Sequence, residues 1–205
     1  MPRKPRLNRA YKKGESHRDA RLFVIVAEGE REDAYFKCFN ALNQRVNIQI
    51  IPREQNRSAP KFFLERVEKA IELGGWSPKE NDLLWFVLDV DRWSRETITE
   101  LRTICEQHSN WFLGISNPCF EVWLLFHLVK TFPDNGETCS NLKQKLHQVS
   151  KGGIEIDKLA RSISDAANNA ANSDDTPISY FPNRMETKLY VLANQLLKLL
   201  GENWS

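Results

Sequence analysis

Two uninterrupted apolar runs, residues 22–27 and 83–88, constrain the fold more than any other feature of this sequence. A strand with one face in water alternates polar and apolar residues, whereas neither of these runs contains a polar residue. Each run therefore predicts a strand that is buried on both faces. Strands of this kind are typical of parallel sheets with helices on both sides, so the chain is predicted to belong to the α/β class.

Weaker strand signals at 46–51 and 111–115 alternate with segments that have the apolar spacing of helices. Two of these helical segments are residues 31–43 and 60–73, and a third begins after Ser94, which is predicted to cap it. The resulting order is β-α-β-α-β-α-β. Because strands that alternate with helices pair in parallel through right-handed crossovers, the sequence predicts a four-stranded parallel sheet flanked by helices.

After residue 118 the pattern becomes helical, and no further strand is predicted. Helices are predicted at 120–130, 139–149, 156–171 and 185–200, with a loop at 172–183. At 205 residues the chain is expected to form one compact unit. Its predicted parts are a basic N-terminal arm (1–21), an α/β core (22–130) and a helical extension packed on the core (131–205).

The charges of the chain are unevenly distributed. The net charge is +2, but residues 1–21 hold eight Lys and Arg against two acids, a net +6 that leaves −4 for the remainder. An arm of this kind is predicted to bind the phosphate backbone of a nucleic acid, and a solvated tail is the alternative. The candidate contacts, including one cation beside the acidic pair described below, are Arg3, Lys4, Arg6, Arg9, Lys12, Lys13 and Arg92.

The sequence also indicates where the protein resides. Its longest apolar runs are shorter than a membrane helix requires, and the N-terminus lacks the apolar segment of a secretory signal. The four cysteines are dispersed without a C-x-x-C pair, so reduced, mostly buried thiols are expected rather than disulfides or a zinc site. A cytosolic location is therefore predicted.

Acidic residues stand where two of the predicted strands end. Glu28 follows the first strand, with Glu32 one helical turn later, and the third strand ends in the pair Asp89 and Asp91. Ligands of parallel sheets bind at the carboxyl ends of the strands. Carboxylates gathered there repel one another unless a cation is present, and Mg²⁺ or Mn²⁺ prefers such oxygen ligands. A metal site is predicted, although a lone Glu-Gly at a strand end also occurs as a solvated turn, and a lone D-x-D also occurs in phosphatases and sugar-nucleotide transferases.

These motifs resemble those of a known fold and family. The Glu28-Gly29 pair and the D-x-D motif at 89–91 resemble the Toprim fold of topoisomerases, bacterial primases and several nucleases. Residues 117–127 (NPCFEVWLLFH) are similar to the N-P-x-F-E-x-W-L-L-x-H segment of the RloB family. Residues 182–192 are similar to the start of that family's C-terminal helix, although Arg-Met-Glu replaces its usual small polar residues. The resemblance spans about residues 1–200.

The resemblance implies roles for individual residues. Glu28 would be a metal ligand or proton-transfer group, Asp89 and Asp91 would bind Mg²⁺, and Glu32, or its neighbour Asp33, would be an additional acid. For Glu121, at the same sheet edge, a ligand or orienting role and a purely helix-stabilising role both stay open.

Some residues near these motifs are predicted to be structural. His127 is expected to be packed, because it lies nearer the opposite face of its helix. Trp93 follows the acidic pair, where stacking on a base and a packing or lid role are both open.

The implied function is that of a Toprim-type nuclease. RloB-like proteins are encoded in bacterial restriction and abortive-infection loci, often beside an ATPase gene. The resemblance therefore implies a role in antiviral defence and an ATPase partner. The implied reaction is the Mg²⁺- or Mn²⁺-dependent hydrolysis of DNA or RNA, such as tRNA. The alternative is a non-catalytic nucleic-acid-binding or regulatory subunit of an ATPase-containing complex. The substrate, the number of ions and the oligomeric state, a homodimer included, stay open.

Overall fold

The computed structural model describes residues 20–53, 61–91, 93–132, 137–150 and 155–201. These residues form the predicted α/β fold, with a mostly parallel sheet, helices on both of its faces and a helical C-terminal part. The architecture is compatible with a Toprim-like fold. Across the described ranges, every helix is too short or too polar to span a bilayer.

Four parallel strands form the centre of the sheet: β1 (Arg21–Ala27), β2 (Val46–Ile50), β3 (Leu83–Asp89) and β4 (Trp111–Asn117). They are the four predicted strands, with ends displaced by one or two residues. The spatial order is β2-β1-β3-β4-β5, so β1 and β3 are neighbours. Because Ala27 pairs in parallel with Val87, the acidic residues that end these strands leave the sheet at the same edge.

A fifth strand, β5 (Glu186–Thr187), is absent from the sequence-based prediction. It pairs antiparallel with the end of β4, where the hydroxyl groups of Ser116 and Thr187 lie 2.9 Å apart. A strand of only two residues can show neither an alternating pattern nor an apolar run, so β5 gives no strand signal in the sequence. Its formation depends on the exposed edge of β4. The helix predicted to begin at residue 185 consequently begins at Leu189.

The helices follow the predicted order, with some interruptions. Their bounds are α1 (Glu30–Lys37), α2 (Phe39–Leu42), α3 (Lys61–Glu72), α4 (Arg95–Cys105), α5 (Glu121–Phe126), α6 (Cys139–Val149), α7 (Ile156–Arg161), α8 (Ile163–Asn172) and α9 (Leu189–Leu200). Two predicted helices are divided, at Cys38 and at Ser162. At both places a backbone N–H donates to the carbonyl three residues earlier, a tightening that interrupts the regular ladder. The Ser94 hydroxyl caps α4 by accepting from the Thr97 N–H, as predicted.

Both faces of the sheet are covered, as the apolar runs predict. Along β1, Phe23, Ile25 and Ala27 belong to one buried cluster, whereas Val24 and Val26 belong to another. Helices α3 and α4 cover the second cluster, and the first is covered by α1 and the helices from α5 onward. Every side chain of α5 is buried. The apolar N-P-x-F-E segment therefore forms the interior of the domain and joins the sheet to the C-terminal helices.

The predicted basic arm lies almost wholly outside the described residues. Of residues 1–21 only the last two are described, and Arg21 is the first residue of β1 rather than part of an arm.

A buried ion pair ties the C-terminal helix to the preceding loop. The Lys188 ammonium lies 2.5 Å from the Asp174 carboxylate and donates to the Thr176 carbonyl at 2.7 Å, and the Tyr190 hydroxyl donates to the same carboxylate at 2.7 Å. Burial would raise the pKa of Asp174, but the hydrogen bonds from Lys188 and Tyr190 outweigh it and lower that pKa. The side chains of the pair are only 5% and 0% exposed.

We predict that Lys188→Met lowers the free energy of unfolding by about 3 kcal/mol, because it leaves the Asp174 carboxylate buried without its cation. Urea unfolding at neutral pH measures the change. In the wild type this contribution is present above about pH 4 and is lost as the pH falls through the lowered pKa of Asp174. Lys158→Met is the control, since its ion pair with Glu155 is exposed. Equal effects of the two substitutions would contradict the prediction.

Candidate functional site

The first and third strands bring Glu28 and the D-x-D motif together, as the sequence predicts. Glu28 follows β1 directly, and its N–H donates to the Val87 carbonyl of β3 at 3.2 Å. The Asp89 N–H donates in return to the Glu28 Oε2 atom at 3.3 Å. Beyond β3 the chain turns but stays beside the end of β4, because the Val90 N–H donates to the Ser116 carbonyl and the Asp91 N–H donates to the Pro118 carbonyl. The carboxyl edge of the sheet thus forms one side of a shared site.

A pocket of about 290 Å³ opens at this edge. Its lining contains six acidic side chains and two cations, so the formal charge of its wall is strongly negative. All of the acids that the sequence singles out except Asp33 belong to this wall, which is formed by Glu28, Gly29, Glu30, Arg31, Glu32, Asp89, Asp91, Cys119, Phe120, Glu121, Cys139 and Lys143. We call this feature the acidic pocket.

Of the two candidates for the additional acid, Glu32 and Asp33, only Glu32 lines the acidic pocket. Glu32 is buried, and its carboxylate occupies the space that a Cβ atom at position 29 would take, so a side chain there would displace it. The Asp33 carboxylate instead accepts from the Arg53 guanidinium at 2.8 Å. The alternative assignment of the additional acid to Asp33 therefore finds no support in the geometry.

Glu121 and Asp91 complete the pocket wall with different partners. Glu121 is the first residue of α5, is buried, and forms an ion pair with Arg31 of α1. Asp91 is exposed, and its Oδ2 atom accepts from the Cys139 thiol at 3.3 Å. Glu121 thus lines the pocket and also lies in the first turn of a helix, so its position is compatible with both of the roles that the sequence leaves open.

The carboxylates of the acidic pocket perturb one another. Burial raises the pKa of Asp89 well above its usual value, and the charges of Glu32, Glu28, Glu121 and Asp91 raise it further. Burial likewise raises the pKa of Glu32 from 4.5 to about 7, with a contribution from Glu121 and Glu28. Strongly shifted acids in a cleft are typical of functional sites.

The chemistry of this pocket suits a hard divalent cation. Its donors are carboxylate oxygens, which Mg²⁺ and Mn²⁺ prefer. The Asp89 Oδ1 atom is buried and has no hydrogen-bond partner among the described residues, so it retains an acceptor for an ion or a proton. As placed, however, no three His, Cys, Asp or Glu side chains within the described ranges are arranged to hold an ion. A cation would therefore have to draw the carboxylates inward.

Two residues that position Glu28 were not assigned this role by sequence analysis. The Trp93 indole Nε1 donates to Glu28 Oε2 at 2.8 Å. Neither of the roles that the sequence leaves open for Trp93, base stacking or packing, includes this contact. The buried Arg66 guanidinium donates to the carbonyls of Ala27 and Ile51 at 2.9 and 2.7 Å. Arg66 thereby fixes the ends of β1 and β2 next to Glu28, and its place on an amphipathic helix gives no hint of that role.

His127 is packed, as expected. It is buried, the Tyr35 hydroxyl and the ring Nε2 are 3.0 Å apart, and burial lowers its pKa to about 4. It does not line the acidic pocket.

None of the predicted nucleic-acid contacts belongs to the part of the chain that the structure describes. Arg92 and the arm residues Arg3, Lys4, Arg6, Arg9, Lys12 and Lys13 lie outside the described residues. The cations that the structure places at the pocket are Arg31 and Lys143, which sequence analysis did not single out.

Comparison with known proteins identifies one family. A family model described as RloB-like protein matches residues 23–196 of this chain. The match contains the Glu28-Gly29 pair, the D-x-D motif and residues 117–127. No curated protein and no solved structure matches the chain.

We predict that Glu32→Gln stabilises the metal-free protein at pH 8 by about 3 kcal/mol, because the folded-state pKa of Glu32 is about 7 rather than 4.5. Ionisation of Glu32 opposes folding fully above about pH 7 and not at all below about pH 4, where the acid is protonated in both states. Urea unfolding at the two pH values measures the difference. Glu30→Gln, which changes an exposed carboxylate nearby, is the matched control. An equal gain at both pH values would refute the assignment.

Proposed function

The chain belongs to the RloB-like family, and we propose that it is a divalent-metal-dependent nuclease that hydrolyses phosphodiester bonds of DNA or RNA, tRNA included, in bacterial defence against phages. The observation that carries this proposal is the acidic pocket, because one cleft is lined by Glu28, Glu32, Asp89, Asp91 and Glu121. A cluster of this kind opposes folding, and a reaction that needs a cation beside a phosphodiester accounts for it.

In this proposal Glu28, Asp89 and Asp91 hold Mg²⁺ or Mn²⁺. When bound, such an ion supplies Lewis acidity toward a phosphodiester and makes water acidic enough to react at neutral pH. The uncommitted Oδ1 atom of Asp89 supports its role as a ligand. The hydrogen bonds from the Trp93 indole and the Asp89 N–H fix the Glu28 carboxylate at the edge of the pocket, which supports the role of Glu28 as a metal ligand.

The remaining pocket residues suit proton transfer and substrate orientation. A carboxyl group with a pKa of about 7 exchanges protons readily at neutral pH, so the Glu32 carboxylate is the group that would accept a proton from the attacking water. Arg31 and Lys143 line the same cleft and would bind the non-reacting phosphate oxygens. No nucleophilic side chain is required, which favours hydrolysis over strand transfer.

The basic N-terminal arm would bind the nucleic acid beyond the cleft. The wall of the acidic pocket repels a polyanion, so substrate affinity has to come from cations elsewhere. Residues 1–21 carry a net +6 and would supply them.

We predict that Asp89→Asn and Glu28→Gln each lower the rate of Mg²⁺- or Mn²⁺-dependent cleavage at least about 100-fold, because each removes a charge that holds the cation. The assay follows wild type and variants on mixed tRNA and plasmid DNA. Filter binding of the same substrates is measured in parallel and should be retained.

Glu155→Gln is the control for this assay, since it changes an exposed acid that does not line the pocket. Loss of cleavage in the pocket variants alone supports the enzyme. If no form cleaves either substrate and all bind equally, the non-catalytic nucleic-acid-binding or regulatory subunit becomes the better assignment.

We also predict that saturating Mn²⁺ raises the Tm of the wild type by about 5–10 °C at pH 8, since an ion at 100 times its Kd contributes about 2.7 kcal/mol. Asp89→Asn should lose most of this shift and Glu155→Gln should keep it. The measurement needs no substrate, so it separates metal binding from catalysis. Equal shifts in all three proteins would place the ion elsewhere.

A further inference from the structure

Two arginines of α4 stack on aromatic rings of the loop between α8 and β5. The guanidinium carbon of Arg95 lies 4.6 Å from the centre of the Phe181 ring, and that of Arg102 lies 5.4 Å from the centre of the Tyr180 ring. The hydroxyl groups of Thr99 and Tyr180 are 2.8 Å apart and join the same two elements. Because the N–H groups of a guanidinium lie in its plane, an arginine that stacks through its face keeps them for an acceptor.

The two stacked arginines differ in how their charge is compensated. The Arg102 Nε donates to the Glu106 carboxylate at 2.8 Å, one turn later on α4. Arg95 is exposed, and within the described ranges it forms no ion pair. It is also the first residue of α4, where the helix dipole disfavours a cation. The charge of Arg95 therefore does not stabilise its helix and is available to an anion from outside the protein.

The ring beneath Arg95 is a firm support. Phe181 is half-buried and packs against the apolar cluster that α3 and α4 cover. A guanidinium that rests on such a ring is already ordered, so it loses less side-chain entropy when it binds an anion.

The stacked pair lies at the carboxyl edge of the sheet, beside the acidic pocket. The loop reaches the end of β4 one residue after the stacked phenylalanine, where the Asn117 amide donates to the Pro182 carbonyl at 3.0 Å. Two residues before Arg95, the Trp93 indole donates to Glu28 at 2.8 Å. Neither member of the stacked pair lines the pocket. An anion bound there would thus lie outside the cleft, at the same edge.

We propose that Arg95, held by Phe181, binds a backbone phosphate of the nucleic acid that neighbours the phosphodiester in the acidic pocket. This inference rests on the proposed function, since it assigns a further contact to the same substrate. The planar N–H edge of a guanidinium matches the oxygens of a phosphate. A polyanion that the pocket wall repels needs cations beside the cleft. A contact of this kind adds affinity without selecting a base sequence.

The test measures the binding of a labelled single-stranded DNA oligonucleotide to the full-length protein by fluorescence anisotropy. The measurement is made in EDTA at KCl concentrations from about 50 to 200 mM. Arg95→Gln should reduce the slope of log affinity against log salt by about 0.7, the contribution of one phosphate contact with a single strand.

Arg102→Gln is the matched control, because it removes a cation from a similar stack on the same helix that already has an acidic partner. It should keep the wild-type slope. An unchanged slope in Arg95→Gln, or an equal decrease in both variants, would overturn the proposal.

The role of the ring is tested by two substitutions of Phe181. Phe181→Leu should weaken binding, because it removes the surface that orients the guanidinium, whereas Phe181→Tyr should bind as the wild type does. Wild-type affinity in Phe181→Leu would contradict the role of the ring. If Phe181→Leu does not fold, the comparison of Arg95→Gln with Arg102→Gln still decides, since both arginines lie on the surface of α4.

Binding in EDTA separates this contact from the proposed nuclease activity. If the wild type binds the oligonucleotide and Arg95→Gln keeps its slope, the contact is wrong, and the cleavage assay still decides whether the protein is a nuclease. If the slope falls but no form cleaves with Mg²⁺ or Mn²⁺, the contact holds for a non-catalytic nucleic-acid-binding subunit. A wild type that does not bind the oligonucleotide would overturn the contact.

Discussion

Repulsion among carboxylates at the carboxyl edge of the sheet governs the structure around it. Parallel pairing of β1 with β3 leaves Glu28 and Asp89 side by side, and the backbone cannot separate them without breaking the ladder. Two further acids enter from α1 and α5, which places Glu32 and Glu121 in the same cleft. Such a cluster raises pKa values and opposes folding, which the proposed metal site accounts for and a stabilising role does not.

The surrounding donors divide these acids into two groups. At the periphery, Glu28 accepts from the Trp93 indole and Glu121 pairs with Arg31, so their negative charges are compensated. At the centre, Asp89 keeps a buried oxygen without a partner, and Glu32 has a pKa of about 7. The peripheral acids are thus held in position by these donors, while the central ones have raised pKa values and, in Asp89, an oxygen that can accept a cation or a proton.

Much of this arrangement can be predicted from the sequence, because the sheet and its acidic ends depend on local patterns. Continuous apolar runs determine which strands are buried on both faces, and the position of Glu28 and Asp89 at strand ends follows. Which of two adjacent acids faces the pocket depends on the space that Gly29 leaves for Glu32. The contacts of Arg31 and the pairing of β5 depend on tertiary packing, which periodicity does not encode.

Protons and divalent cations compete for the same carboxylates in such a pocket, and this competition determines how the proposed site responds to pH. With raised pKa values, Asp89 and Glu32 retain protons at a pH where ordinary acids have lost them. A cation that binds there has to displace those protons, so its affinity rises with pH until both groups are ionised. The same binding removes the repulsion that opposes folding, and metal affinity and stability are therefore coupled through the central acids.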